Sequence, residues 1–110
     1  MDRIPCTVGI ITHNNEATIE RALESVKEFA EIIVCDGASI DTTRAIALHF
    51  GARVIDQDPH YLDTNGRLID FSGARNQTLE AATYPWFFFI DSDEYAGTDL
   101  VTAIRETIRN

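Results

Sequence analysis

The sequence is sparing in the features that mark special environments. Two cysteines, three prolines and six glycines in 110 residues are too few for a disulfide scaffold, a collagen-like repeat or a low-complexity linker. No apolar run approaches the roughly 20 residues that span a bilayer. The opening "MDRIPCTVG" has no basic-then-apolar leader, so no secretory signal is expected. Basic side chains number 9 against 18 acidic ones, for a formal charge of -9. That balance argues against a surface that tracks nucleic-acid phosphates or anionic lipid. The phosphate loop GxxxxGK[ST] is missing, and the first strand-to-helix junction reads "THNNEA" where a dinucleotide fingerprint would need GxGxxG. The basic, Gly-rich first loop expected of a nucleotidyltransferase is missing too. The expected compartment is the cytoplasm, with the inner membrane face as a peripheral location. Cys6 and Cys35 fall at opposite ends of neighbouring strands, about 15 Å apart at 3.3 Å per residue, so both are expected as free buried thiols.

What remains is one domain's worth of an ordinary globular composition, 45% hydrophobic and 25% charged. "CTVGIITHN", "EIIVCDG", "ARVID" and "WFFFID" read as near-continuous apolar strands, the pattern of a parallel sheet buried on both faces. Between them lie helical periodicities. Glu16 to Phe29 places Ile19, Ala22, Leu23, Val26 and Phe29 at spacings of three and four, with Asn14 or Asn15 as N-cap. Asp41 or Thr42 caps a short helix running to Phe50 with Gly51 at C′, and Ser72 or Gly73 opens a third helix that Pro85 separates from the last strand. A final helix over Asp99 to Arg109 is expected to bury Leu100, Ile104 and Ile108. Pro59 and the Asn65-Gly66 pair rule out a continuous element in "QDPHYLDTNGRLIDF". The fold class is therefore α/β, a three-layer α/β/α arrangement with a mainly parallel sheet in one domain over 1–110.

In such sheets ligands bind outside the carboxyl ends of the strands. Three strands end there in polar groups: Thr12-His13-Asn14, Asp36-Gly37 and Asp91-Ser92-Asp93. The last follows five bulky apolar residues, Trp86 to Ile90, expected to be deeply buried. Asp91 and Asp93 alternate, so an extended backbone would aim both at one cation, and hard ions such as Mg2+ or Mn2+ complete their shells with phosphate oxygens. A calcium loop is excluded, because Gly97 is the seventh residue from Asp91 and not the sixth. Plain structural readings stand beside these. Asp91 to Asp93 also reads as a solvated loop, Asp36 as a turn former before Gly37, His13 as a polar loop residue, and Arg75 as a partner of Glu80 or a nearby Asp. Glu94 reads as a cap or supporting neighbour, and Trp86 as part of the buried strand.

"TVGIITHNNEATIERALESV", "EIIVCDGASIDTTRAIA", "GARVI", "DFSGARNQTLEAA" and "WFFFIDSDE" together resemble the nucleotide-binding half of family 2 glycosyltransferases, which have the Rossmann-like GT-A fold. The resemblance implies transfer from a nucleotide-sugar donor, a UDP-sugar first, to a glycan, lipid or protein acceptor. By it Thr12, His13 and Asn14 lie against the donor nucleotide, Asp36 reaches the base, and Arg75 contacts the base or diphosphate. Asp91 and Asp93 match the family's Asp-x-Asp, holding ribose and a divalent Mn2+ or Mg2+, with Ser92 also in the nucleotide-sugar site. Where the family writes Asp-(Asp/Ser)-Gly-Ser-Thr-Asp-Gly-Thr this chain has "DGASIDTT". That keeps Asp36, Ser39, Asp41 and Thr43 while one glycine moves to Gly37. The family's base and acceptor surface lie downstream of the Asp-x-Asp, so no catalytic residue is expected in this chain. The alternative is a nucleotide-binding module without catalysis. A fourth strand left with a free edge would be a site of self-association.

Overall fold

In a computed structural model, which describes residues 2–109, four parallel strands form one sheet. They are β1 (Ile4–Thr12), β2 (Phe29–Asp36), β3 (Arg53–Asp56) and β4 (Trp86–Asp91), in the order β3-β2-β1-β4. Four helices connect and flank them: α1 (Ile19–Ser25), α2 (Thr43–His49), α3 (Phe71–Ala81) and α4 (Thr98–Arg109). The chain winds from β1 outward through β2 to β3, then returns to place β4 on the other side of β1. The strand order thus reverses between β1 and β4, and the carboxyl ends of those two strands flank the crevice where such sheets bind ligands.

Alternation along β1 divides the core. Ile4, Cys6, Val8 and Ile10 join Ile19 and Leu23 of α1, Ala47 of α2 and Val101 of α4 in one buried cluster. Phe29 and Phe88 stack within reach of each other there, ring centroids 6.2 Å apart. The opposite face is covered by α3, and the expected three layers are present. Cys6 and Cys35 are free and buried as expected, and burial pushes both thiols up to about 11. No helix among the described residues is long and apolar enough to cross a membrane.

Several expectations need correcting. The first helix spans only Ile19–Ser25 and not Glu16 to Phe29, because Val26 and Phe29 continue the apolar spacing from a turn and from the first position of β2. Its N-cap is Thr18, with no side-chain cap bond, and not an asparagine. The third helix begins at Phe71, capped by Asp70, whose carboxylate accepts from the Gly73 amide. Leu100 is 44% exposed and Val101 is the buried residue of α4. Only Ile90 of β4 is buried, and Trp86 is 45% exposed. The reason is topological: β4 is paired on one side only, so its long apolar run fills the flanks of an edge strand. Gly51, expected just past α2, sits at φ +81, the left-handed geometry that ends helices.

The sheet admits no side chain under α3 at one position. A Cβ on Gly9 would stand 2.8 Å from Cζ of Phe87 and 2.9 Å from Cβ of Thr78, and closer still to the Thr78 hydroxyl. Gly9→Ala is expected to cost about 1–3 kcal/mol through overpacking, read as a lower urea midpoint; an unchanged midpoint would show that α3 is not seated on β1.

Candidate functional site

At the carboxyl rim, β1 and β2 meet through a buried acid. Asp36, fully buried, pairs in register with Thr12 and accepts its hydroxyl at 2.6 Å. The Ser39 amide (2.9 Å), the Ser39 hydroxyl (2.6 Å) and the Arg44 guanidinium (3.0 Å) complete its shell. Burial alone would raise this carboxyl. The bonds from Ser39, Thr12 and Arg44 outweigh it and hold the group below its ordinary 3.8. As arranged, Asp36 supports the rim from beneath, and a contact with a nucleobase would draw one of its oxygens from a protein donor.

Above Asp36 the loops after β1 and β2 are laced together. His13 donates from Nδ1 to the Gly37 carbonyl at 2.6 Å. The Asn14 amide donates to the Ser39 hydroxyl, and the Ile40 amide donates back to Oδ1 of Asn14, both at 2.8 Å. Asn15 donates to the Thr43 hydroxyl (2.8 Å), Glu16 to Asp41 (3.2 Å), and the Thr42 hydroxyl to Glu16 (2.6 Å). Asn14 and Ala38 take φ +51 and +52, a region that costs an alanine about 1–2 kcal/mol. Ala38 stands where the family writes its glycine. The displaced Gly37 has a local cause: a Cβ there would meet Oε1 of Gln57 at 2.7 Å. Gln57, buried, donates to the carbonyls of Thr12 (3.1 Å) and Cys35 (3.4 Å) and fills that space.

This rim opens on a cleft of about 800 Å³. Thr12, His13 and Ser92 line it from the strand ends, Gln57 with them, and Asp63 and Arg67 from the segment before α3. That segment is better ordered than its sequence suggested. It contains a 3-10 turn over Pro59–Tyr61 and a small hairpin closed by the Leu62–Leu68 bridge, with Gly66 at φ +80 at its tip. Tyr61, on which the sequence offered no view, packs where a Cβ on Gly73 would be. Asp63, Arg67 and Gln57 were missed as cleft residues; the Asn65-Gly66 turn and the single cation in 57–71 were the signals available.

β4 ends at Asp91, and the chain turns at once: the Glu94 amide donates to the Asp91 carbonyl (3.0 Å), and the Asp91 amide to the Glu94 side chain (2.8 Å). The extended backbone assumed for Asp91 and Asp93 is therefore replaced by a turn. The two acids are near each other all the same. Loss of surrounding water, the charges of Glu94 and Asp93 and a bond with Glu94 raise the Asp91 carboxyl above its ordinary value, against the lowering charge of Arg75. Arg75 lies over the Phe89 ring, 4.5 Å from its centroid, and not on Glu80. No three His, Cys, Asp or Glu side chains among the described residues form a ready metal-ligand group. Two crowded carboxylates whose like charge Arg75 only partly offsets still fit a divalent ion that takes its other ligands from phosphate and water.

Residues 7–110 match the family model for glycosyl transferase family 2. The chain belongs to that family. It is 41% identical over 88 residues to the glycosyltransferase SunS of Bacillus subtilis, covering 79% of this chain and 19% of SunS. A TPR repeat-containing protein of Synechococcus elongatus is 36% identical over 100 residues, covering 90% and 23% of the two chains. The chain thus spans about a fifth of these relatives' lengths. Among solved structures, Mycobacterium tuberculosis glucosyl-3-phosphoglycerate synthase with Mn2+, UDP and its product superposes with a TM-score of 0.62 at 27% identity, over 82% of this chain and 35% of that one. Staphylococcus aureus TarS 1-349 reaches 0.73 at 22% identity, over 99% of this chain and 32% of its own, a likeness of fold. The sheet is that of a GT-A glycosyltransferase.

Since the native state holds Asp36 ionised, its contribution is full above the unfolded-state value and is lost as pH falls through the lower folded one. Asp36→Asn is expected to lower stability by about 3 kcal/mol at pH 7 by leaving Arg44 and the rim donors without their charge. In thermal melts the gap to the unaltered chain should narrow as pH drops below 3.8. A gap that is constant with pH would refute the ionised, buried role.

Proposed function

We propose that this chain is the donor-binding part of a glycosyltransferase that moves a sugar from a nucleoside-diphosphate sugar to an acceptor hydroxyl on a glycan, lipid or protein. The observation that carries the reading is the crowding of Asp91, Asp93 and Glu94 beside the cleft at the strand-order reversal, in a chain of family 2. UDP is the nucleotide we favour, supported by the Mn2+ and UDP complex of the mycobacterial relative. Asp91 and Asp93 would hold a divalent cation, Mn2+ or Mg2+, which when bound supplies positive charge to the diphosphate leaving group.

The chain's own residues have separable roles. Thr12, His13, Asn14 and Ser92 form the rim against which the nucleotide lies. Asp36 keeps that rim in register and is the group nearest the base position in the family's pattern. Arg75, fixed over Phe89 with no carboxylate partner within 4.0 Å among the described residues, has its donors available for a phosphate oxygen. We assign the base that deprotonates the acceptor, and the acceptor surface, to sequence outside this chain, with direct displacement and inversion at the sugar. The compartment we favour is the cytoplasm, and the exposed edge of β4 is where we place any self-association.

Calorimetric titration with UDP, with and without Mn2+, tests the reading: binding should require the metal. Asp91→Asn should weaken it by at least about 10-fold. The same change should slightly raise the metal-free melting temperature at pH 7. A raised folded-state pKa gives stability that is lost as pH rises through it, so ionised Asp91 opposes the fold at neutral pH. Metal-independent UDP binding that Asp91→Asn leaves intact would refute the site, and sugar transfer or donor hydrolysis by these 110 residues would refute placing the base elsewhere.

A further inference from the structure

Among the described residues, Arg67 is the one lysine or arginine that lines the cleft. It is carried on the hairpin bridged at Leu62 and Leu68, and the hairpin is pinned by its own backbone. The Asp63 amide donates to the Arg67 carbonyl at 2.8 Å, and the Gly66 amide to the Asp63 carbonyl at 3.0 Å. The Asp63 carboxylate accepts the Asn65 and Arg67 amides, both at 2.9 Å. Those two bonds, the Arg67 amide foremost, and more weakly the nearby Arg67 charge hold Asp63 below its usual range, and its carboxylate oxygen is taken up in shaping the loop. The Arg67 guanidinium, by contrast, enters no ion pair among the described residues.

An arginine with no ion-pair partner among the described residues, carried on a fixed turn in the wall of a cleft in a chain of charge -9, is placed to receive an anion. Asp63 is an acid of the same cleft wall, its carboxylate turned to the loop amides, while Thr12, Gln57 and Ser92 are neutral and suit the uncharged parts of a ligand. We propose that Arg67 is a positioning residue for the donor, binding its phosphoryl oxygens from the hairpin side of the cleft. This assignment rests on the donor-site reading given above. The 62–68 hairpin thereby supplies a cation to the anion that the acidic turn at Asp91 would repel without its metal. Arg's planar fork suits a phosphoryl group in a way that a lysine ammonium does not reproduce.

The test titrates the unaltered chain, Arg67→Ala and Arg67→Lys with UDP and with inorganic pyrophosphate, both with Mg2+. The alanine variant should keep its melting temperature, since the hairpin bonds use the backbone of residue 67. It should bind both probes at least about 10-fold more weakly, and the lysine variant should fall between. Equal UDP affinity in Arg67→Ala overturns the assignment and leaves the donor site standing. Pyrophosphate binding that depends on Arg67 without any UDP binding keeps Arg67 as an anion site and overturns the nucleotide reading. Binding of neither probe by the unaltered chain overturns both.

Discussion

The carboxylate of Asp36, closed off from water between β1 and β2, is the interaction on which the rim depends. It receives the Thr12 hydroxyl from the neighbouring strand, two donors from Ser39 in its own loop, and Arg44 from α2. Arg44 also reaches Asp56 at the end of β3, 3.0 Å away. One buried charge therefore ties three strand ends and a helix into a single ledge. An acid so placed is costly unless every lone pair is met, and here the donors are enough to keep it ionised. Without it, the Ser39 hydroxyl would lose its acceptor, and the bonds that lace Asn14 to that loop would lose their anchor.

The second acidic centre is balanced the opposite way. Asp91 has like charges for neighbours and Arg75 as the opposing cation, and its carboxyl is raised where that of Asp36 is lowered. The two acids stand on the same rim, one satisfied by the fold and one crowded by like charges that Arg75 only partly offsets. On that contrast we propose Asp36 as a residue that builds the site and Asp91 as one that takes a ligand. It also accounts for a five-residue apolar run ending in three carboxylates: β4 is pinned along β1 by Phe88 and Ile90, so the position of the acidic turn is fixed by packing behind it.

Much of this was legible in the sequence, for reasons that can be named. Parallel strands buried by helices read as unbroken apolar runs, and all four were found because "TVGII", "IIVC", "RVI" and "FFFI" cannot be satisfied otherwise. Gly51 and the "DGASIDTT" loop were visible as turn chemistry, though Ser39 and Asp41 turn out to bind the β1 loop as well as shape their own. What misled was context. Val26 and Phe29 keep helical spacing but belong to a turn and to β2. The bulk of Trp86 signalled depth, yet its strand has one neighbour, and an edge is a property of sheet order that no local pattern carries. The alternation of Asp91 and Asp93 held no information once the backbone turned. The cleft wall at Asp63 and Arg67 was hidden because a hairpin closed by a single bridge leaves almost no periodicity.

Since the relatives it matches are several times longer, what we propose for the chain is confined to one half of a reaction: holding an anionic donor at the reversal of strand order between β1 and β4. The most direct test is a crystal structure of the chain grown with UDP and Mn2+, the metal located by its anomalous scattering. The account predicts an ion held by Asp91 or Asp93 and by the diphosphate, with the nucleoside lying along Thr12 and His13 above an undisturbed Asp36. Density for UDP away from this rim, or an ion bound without either aspartate, would contradict it.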